Sequence, residues 1–137
     1  MSQWPKTVLD AFKKAKSTRE KAHAPYSRFK VGAAIKFQGS RKLFVGCNVE
    51  NSAFSGTNCA ERTALFSGIA ELGSSPIEFV VVVTSQNPPA SPCGVCRQVL
   101  VEFGSDETPV YLADLKGIKE MIHLGDLLPK AFRSFKV

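Results

Sequence analysis

Three of the four cysteines in this chain stand at spacings that suit a metal ion. Cys59 lies in the stretch TNCAERTALF with Glu61 two residues after it, and Cys93 and Cys96 form the Pro-Cys-x-x-Cys of ASPCGVCRQVL. Catalytic zinc sites use three protein ligands and keep the fourth position for water. A carboxylate beside that water can take its proton and deliver it elsewhere. The pattern therefore predicts a zinc site with these three cysteines as ligands and Glu61 as the proton carrier.

The starts of two predicted helices place these cysteines. Cys93 and Cys96 are three residues apart, so on one helix their sulfurs share a face. That helix is expected to run from Ser91, as its cap, to about Phe103. Cys59 opens another predicted helix. The positive end of a helix dipole favours thiolate over thiol, so two such ends would gather three thiolates at one point.

Two arginines, Arg62 and Arg97, follow the cysteines closely. Zinc with three thiolates has a net charge of −1 and is a poor Lewis acid. An arginine that donates to the sulfurs would draw off part of this charge. Both arginines are therefore predicted to donate hydrogen bonds to the sulfur ligands of the metal.

The fourth cysteine, Cys47, leaves an alternative open. A closed structural site could use all four cysteines, and the protein would then be a zinc-stabilised interaction module. Structural sites usually consist of two close-spaced pairs. Cys47 instead stands alone in a predicted strand, where a small buried apolar residue is the usual interpretation.

Helical and strand patterns alternate along the chain. Apolar residues at helical spacing predict helices, and alternating or continuous β-branched runs predict strands. The predicted helices are 6–22, 59–72, 91–103 and a short segment at 125–132, and the predicted strands are 28–37, 42–50, 79–84 and 109–114. The first two strands read as an antiparallel hairpin. Later strands separated by helices indicate parallel pairing, hence one mixed sheet between helical layers.

Composition fits one globular domain over residues 1–137. Hydrophobic residues make up 44% and charged residues 22% of the chain. There is no apolar run of bilayer length and no signal-peptide pattern in MSQWPKTVLDAFKKAK, so a cytoplasmic protein with no membrane partner is expected. The net charge is +6, with many lysines among the first thirty residues. They are interpreted as a solvated helix face, and a nucleic-acid footprint is the alternative.

The zinc motif and its flanking segments resemble the zinc-dependent cytidine deaminases, in the small form with three cysteine ligands. The similar segments are YSRFKVGAA, CNVENSAFSGTNCAERTA, SPCGVCRQVL and DLLPKAF, which stand in the family order and cover the chain nearly end to end. The resemblance implies an α/β fold with three α/β/α layers and a mixed five-stranded sheet. It also implies one Zn²⁺ per subunit and a homotetramer.

The resemblance assigns roles to further residues. It implies that Asn48 and Glu50 grip the ribose 3′-hydroxyl, although the two could merely end an edge strand. It implies that Phe29 lines the pyrimidine pocket, Phe132 stacks on the base from a neighbouring subunit, and the backbone of Ala60 and Ser91 contacts the base edge and the departing amine. Two departures appear: Phe54 stands where the family commonly has tyrosine, and RSFKV follows where Gly-Pro is frequent.

The implied activity is hydrolysis of cytidine and 2′-deoxycytidine to the uridines and ammonia, in pyrimidine salvage. Glu61 would pass a proton from water to ring nitrogen 3 and then to the amino group. The alternative is a cytosine deaminase acting on single-stranded polynucleotide, which the basic N-terminal region supports. Against it, aromatic residues do not accompany the lysines, and a 3′-phosphodiester would meet the charge of Glu50. A small nucleoside is therefore expected as substrate, without a nucleic-acid partner.

Overall fold

The computed structural model describes residues 3–134, and its first element is helix α1, Lys6–Arg19. Its buried residues recur at helical spacing: Val8, Ala11 and Ala15. Of the predicted apolar stripe, Val8 and Ala15 are buried, and Leu9 and Phe12 are half-buried. The prediction that the helix reaches residue 22 is wrong. Beyond Arg19 the backbone bonds shorten to three-residue turns, as when Ala22 N donates to Arg19 O at 3.0 Å.

Two antiparallel strands follow, β1 (Val31–Phe37) and β2 (Leu43–Cys47), and they form the predicted hairpin. Both strands are shorter than expected, because residues 28–30 and 48–50 do not continue the strand pairing. Strand β3 (Ile77–Thr84) pairs antiparallel with β1 and parallel with β4 (Pro109–Asp114). The parallel pair confirms the predicted crossover between the later strands.

A fifth strand, β5 (Gly117–His123), lies at the edge of the sheet and pairs antiparallel with β4. Residue patterns did not identify this strand, because most of its residues are exposed or half-buried and give no apolar alternation. The family resemblance did imply a five-stranded sheet. The order is β2-β1-β3-β4-β5, which makes the sheet mixed.

Helices cover both faces of the sheet. On one face, α1 packs against Ala34, Val81 and Val83. On the other face lie α2 (Ala60–Leu72) and α3 (Gly94–Phe103), which bury Leu65 and Leu100 against the sheet. A 3₁₀ turn at Phe54–Gly56 and a short helix α4, Leu124–Leu127, complete the described elements. The predicted three-layer α/β/α architecture is confirmed.

Helix α2 approaches strand β2 closely at Gly46. A Cβ atom at this position would lie 2.5 Å from both the Ala60 carbonyl oxygen and the Ala64 nitrogen. The missing side chain therefore lets the first turn of α2 rest directly on the sheet, and this turn leads on from Cys59. Within residues 3–134, no helix combines the length and the apolar character needed to cross a bilayer.

Candidate active site

Two helix N-termini meet at the predicted metal site. Cys59 is the N-cap residue of α2 and Cys93 is the N-cap residue of α3, both with extended backbones. Cys96 lies in the first turn of α3 and is fully buried. The expected cap of α3 at Ser91 is two residues too early, because Cys93 takes that position. Segment 91–92 stays outside the helix, where Arg97 binds the Pro92 carbonyl at 2.7 Å and the Ser91 hydroxyl at 2.8 Å.

The three predicted ligands come together in space. Their sulfur atoms all lie within 4.8 Å of one another, and the Sγ atoms of Cys59 and Cys93 are 3.9 Å apart. Within residues 3–134, this trio is the group that could hold a metal ion, and Cys47 is not part of it. The structure therefore favours three sulfur ligands over a closed site of four.

The charge on the sulfur atoms indicates whether the cluster can bind a cation. Arg62 Nη2 donates to Cys59 Sγ at 3.2 Å. The pKa of the Cys59 thiol falls to about 5, first because Cys96 donates a hydrogen bond to its sulfur and then because of Arg62. The same shared hydrogen bond, together with burial, raises the pKa of Cys96. The cluster by itself therefore favours one thiolate, and a soft divalent cation such as zinc would stabilise all three.

Glu61 lies beside the sulfurs on the first turn of α2, and only 4% of it is exposed. Burial raises the pKa of its carboxyl group to about 7, and the negative Cys59 sulfur adds to the rise. A carboxyl group with a pKa near neutrality can both accept and return a proton at working pH. Its environment is therefore that of a proton carrier and not of a surface carboxylate.

A cavity of about 220 Å³ opens in front of Glu61 and the sulfurs. Most of the predicted site residues line it: Phe29, Asn48, Glu50, Cys59, Ala60, Glu61, Ser91 and Cys93. Its walls also include the ends of two central strands, with Val31 from β1 and Thr84 from β3. The cavity thus joins the metal cluster to the segment that contains Asn48 and Glu50.

Asn48 and Glu50 both line the cavity, and Val49 between them is 45% exposed. Asn48 is buried: its Nδ2 donates to the Phe29 carbonyl at 2.8 Å and its Oδ1 accepts from Val31 N at 2.8 Å. Glu50 accepts backbone N–H bonds at 3.0 and 3.1 Å from Tyr26 and Ser27, and a bond from the Ser27 hydroxyl. These bonds lower the pKa of Glu50, the Ser27 hydroxyl most strongly. The carboxylate is therefore held in its ionised form.

Two predicted residues are placed elsewhere. Arg97 was expected to donate to the sulfurs, but its guanidinium nitrogens donate to Pro92, Ser91 and, at 2.7 Å, the Leu127 carbonyl. It fastens the segment before α3 to α4, and of the two arginines Arg62 is the one that donates to a sulfur. Phe132 is 57% exposed, and its carbonyl accepts a bond from Gln98. Its side chain does not line the cavity of its own subunit. The final residues of the RSFKV tail, 135–137, lie outside the described part.

Sequence reasoning missed Ser27 and Thr57, which also line the cavity. Ser27 stands in a loop more than twenty residues before Glu50, and no spacing rule connects the two. The one available signal was its position in YSRFKVGAA, a segment that leads into β1.

Comparisons with known proteins relate this chain to a family of zinc-binding deaminases. Residues 5–112 match the family model described as the cytidine and deoxycytidylate deaminase zinc-binding region. The chain is 48% identical to the cytidine deaminase of Sporosarcina psychrophila over 118 residues, which are 86% of this chain and 85% of that one. It is 44% identical to the cytidine deaminase of Halalkalibacterium halodurans, over 88% and 89% of the two chains. The crystal structure of cytidine deaminase from Burkholderia pseudomallei superposes with a TM-score of 0.84 at 45% identity, covering 96% of this chain and all of that one.

Proposed function

This chain belongs to the cytidine and deoxycytidylate deaminase family, and we propose that its cavity binds cytidine and 2′-deoxycytidine and hydrolyses them to the uridines and ammonia. The observation that carries the proposal is the buried carboxyl of Glu61 in one cavity with a cluster of three sulfurs. We propose residues 1–137 as a single catalytic domain acting in pyrimidine salvage in the cytoplasm.

The metal of this family is zinc, and Cys59, Cys93 and Cys96 would hold it. Their sulfurs are close enough to share one ion, and two of the three are N-cap residues of helices. When bound, zinc supplies a Lewis acid that makes water acidic enough to serve as a nucleophile near neutral pH. Arg62 lowers the charge density of the sulfurs by its bond to Cys59.

Glu61 moves the protons. It accepts one from the attacking water and places it on ring nitrogen 3. It then takes the proton of the new hydroxyl on carbon 4 and gives it to the amino group, which leaves as ammonia. Its pKa of about 7 suits both directions of transfer. Because the carboxyl group is buried in the first turn of α2, it has little freedom to leave this position.

The base is held between Phe29 and the first turns of the two helices. Ala60 is the first residue of α2, where a backbone N–H has no partner within the helix, so it can donate to the oxygen of the base. Ser91 lies outside α3 on the cavity wall, where its carbonyl can accept from the amino group. Phe29 supplies a flat apolar wall.

The sugar is read by Asn48 and Glu50. One amide hydrogen of Asn48 is committed to the Phe29 carbonyl, which leaves the second for the oxygen of the 3′-hydroxyl. The ionised carboxylate of Glu50 accepts the hydrogen of the same hydroxyl. A donor and an acceptor together satisfy both functions of one hydroxyl group.

We propose that the working enzyme is a homotetramer in which Phe132 of a neighbouring subunit closes the cavity over the base. Phe132 is largely exposed and lies away from its own cavity. Two aromatic rings near Glu50 are also exposed: Phe54 is 79% exposed and Tyr26 is 54% exposed. A second subunit would cover these rings and seal the substrate from water.

The test is direct. Zinc-loaded protein is mixed with cytidine, and the loss of ultraviolet absorbance and the release of ammonia are followed. Turnover should stop after chelation and return with zinc. A single-stranded oligonucleotide containing cytosine serves as the competing substrate. Deamination of the oligonucleotide in preference to cytidine would contradict the proposal.

A further inference from the structure

We propose that Ser27 is a positioning residue: it fixes the Glu50 carboxylate and thereby sets how strongly the enzyme prefers a substrate with a 3′-hydroxyl. The inference rests on the proposed contact between Glu50 and the ribose. It extends that contact to a loop residue that takes no part in proton transfer or metal binding.

Ser27 holds Glu50 by two groups at once. Its backbone nitrogen donates to Glu50 Oε1 at 3.1 Å, and its hydroxyl donates to Glu50 Oε2. Tyr26 N adds a third bond, to Oε1 at 3.0 Å. All three donors come from two consecutive residues, so the orientation of the carboxylate follows the orientation of this turn.

The same hydroxyl also ties the turn to the base side of the cavity. Ser27 Oγ accepts a bond from Phe29 N at 3.0 Å, so a single oxygen atom connects the backbone of Phe29 with Glu50. Arg28, between them, has φ of 58°, a left-handed conformation that is uncommon for a residue with a side chain. Its nitrogen donates to the Ala24 carbonyl at 2.9 Å. The turn is therefore defined by its own hydrogen bonds.

A count of acceptor sites shows what is left for a ligand. An ionised carboxylate offers about four lone-pair positions, two on each oxygen. On Glu50, Oε1 receives two N–H bonds and Oε2 receives the Ser27 hydroxyl. Among the bonds of the described residues, one position on Oε2 remains. The Ser27 hydroxyl occupies the neighbouring position on Oε2, and so it fixes the direction in which the remaining one points.

Removal of this hydroxyl should loosen Oε2 and leave Oε1 bound. Ser27→Ala keeps both backbone donors and loses only the side-chain bond. A hydrogen bond to a charged group corresponds to a factor of about ten or more in affinity. We therefore expect kcat/KM for cytidine to fall about tenfold in this variant.

The experiment compares two substrates that differ by one group, cytidine and 3′-deoxycytidine, with the full-length, zinc-loaded enzyme. If Ser27 acts through Glu50, Ser27→Ala should lower kcat/KM for cytidine by about tenfold and change that for 3′-deoxycytidine by less than about threefold. Ser27→Thr keeps a hydroxyl and should restore most of the selectivity. An equal fall on both substrates, or no fall on either, would overturn the proposal.

A matched serine and a Glu50 variant complete the design. Ser40 Oγ also accepts a backbone N–H two residues ahead, from Lys42 at 3.3 Å, but it lies at the far end of β1. Ser40→Ala should leave the selectivity unchanged. Glu50→Gln separates the two hypotheses: an equal loss on both substrates would reject the ribose contact itself. Selectivity lost in Glu50→Gln but kept in Ser27→Ala would reject the role of Ser27 alone.

Discussion

The two sides of the cavity are built by different means. On the metal side, the N-cap positions and first turns of two helices supply Cys59, Glu61, Cys93 and Cys96, and charge and burial set the chemistry. On the sugar side, which contains Asn48 and Glu50, the Glu50 carboxylate accepts hydrogen bonds from two backbone N–H groups and one hydroxyl of a preceding loop.

The pKa shifts express this difference. Glu61 is buried, and its pKa is raised to about 7. Glu50 is surrounded by donors, and its pKa is lowered. One carboxyl group is thus suited to exchange a proton, and the other is suited to remain an acceptor. The same residue type serves catalysis on one side and recognition on the other because the surroundings differ.

The largest expected effect comes from removing one of the three sulfur ligands on the metal side. Cys96→Ser replaces a fully buried sulfur of the cluster, and it should remove zinc and abolish cytidine turnover. Cys47→Ser should keep one zinc per chain and nearly full activity, since Cys47 lies outside the cluster. Metal content by elemental analysis and initial rates are the measurements. Loss of zinc from Cys47→Ser would instead support the alternative in which all four cysteines bind the metal.

The next effect separates metal binding from proton transfer. Glu61→Gln keeps the shape of the side chain but cannot accept a proton, so kcat should fall about 10²- to 10⁴-fold while zinc and the fold remain. Glu71→Gln is the matched control on the same helix, where Glu71 is exposed and pairs with Lys42. Turnover of Glu61→Gln at the wild-type rate would show that another group carries the proton.

A smaller effect tests how the metal side depends on packing. Gly46→Ala would place a methyl group 2.5 Å from the Ala60 carbonyl and push the start of α2 from the sheet. Overpacking of this kind costs about 1–3 kcal/mol of unfolding free energy. The displacement of Cys59 and Glu61 should also lower kcat/KM about tenfold.

Gly94→Ala provides the contrast, because nothing lies within 4 Å of a Cβ at this position. Its midpoint of thermal unfolding should match or slightly exceed the wild-type value. Equal destabilisation in the two variants would show that close approach at Gly46 is not what positions α2.

The metal side could be predicted from the sequence because its information is local. Cys-x-Glu and Pro-Cys-x-x-Cys stand within single helix starts, so spacing alone placed each sulfur and the carboxyl group. The cap positions were less predictable. Ser91 has the better intrinsic propensity for a cap, but the bonds of Arg97 hold it outside the helix, and Cys93 caps α3 in its place.

The sugar side could not be derived in the same way. Asn48 and Glu50 were assigned through family resemblance, and the hydrogen-bond partners of their side chains lie 17 to 24 residues earlier in the chain. Strand β5 escaped detection because an edge strand with mostly exposed residues lacks a buried face. The role expected for Arg97 failed because nearness to a ligand in sequence does not decide which acceptor a guanidinium group meets.

The smallest expected effect tests the sugar side by pH. Because its hydrogen bonds lower the pKa of Glu50 below the usual 4.5, the carboxylate stays ionised as the pH falls from about 7 to about 5. We therefore expect the ratio of the affinities for uridine and 3′-deoxyuridine to remain constant over this pH range. Equilibrium titration of the zinc enzyme with each nucleoside measures this ratio. Glu50 should become protonated, and the preference for a 3′-hydroxyl should be lost, only when the pH falls below this lowered pKa. A preference that already weakens near pH 6 would mean that the donors of the loop do not hold the charge, and the contrast between the two carboxyl groups would fail at Glu50.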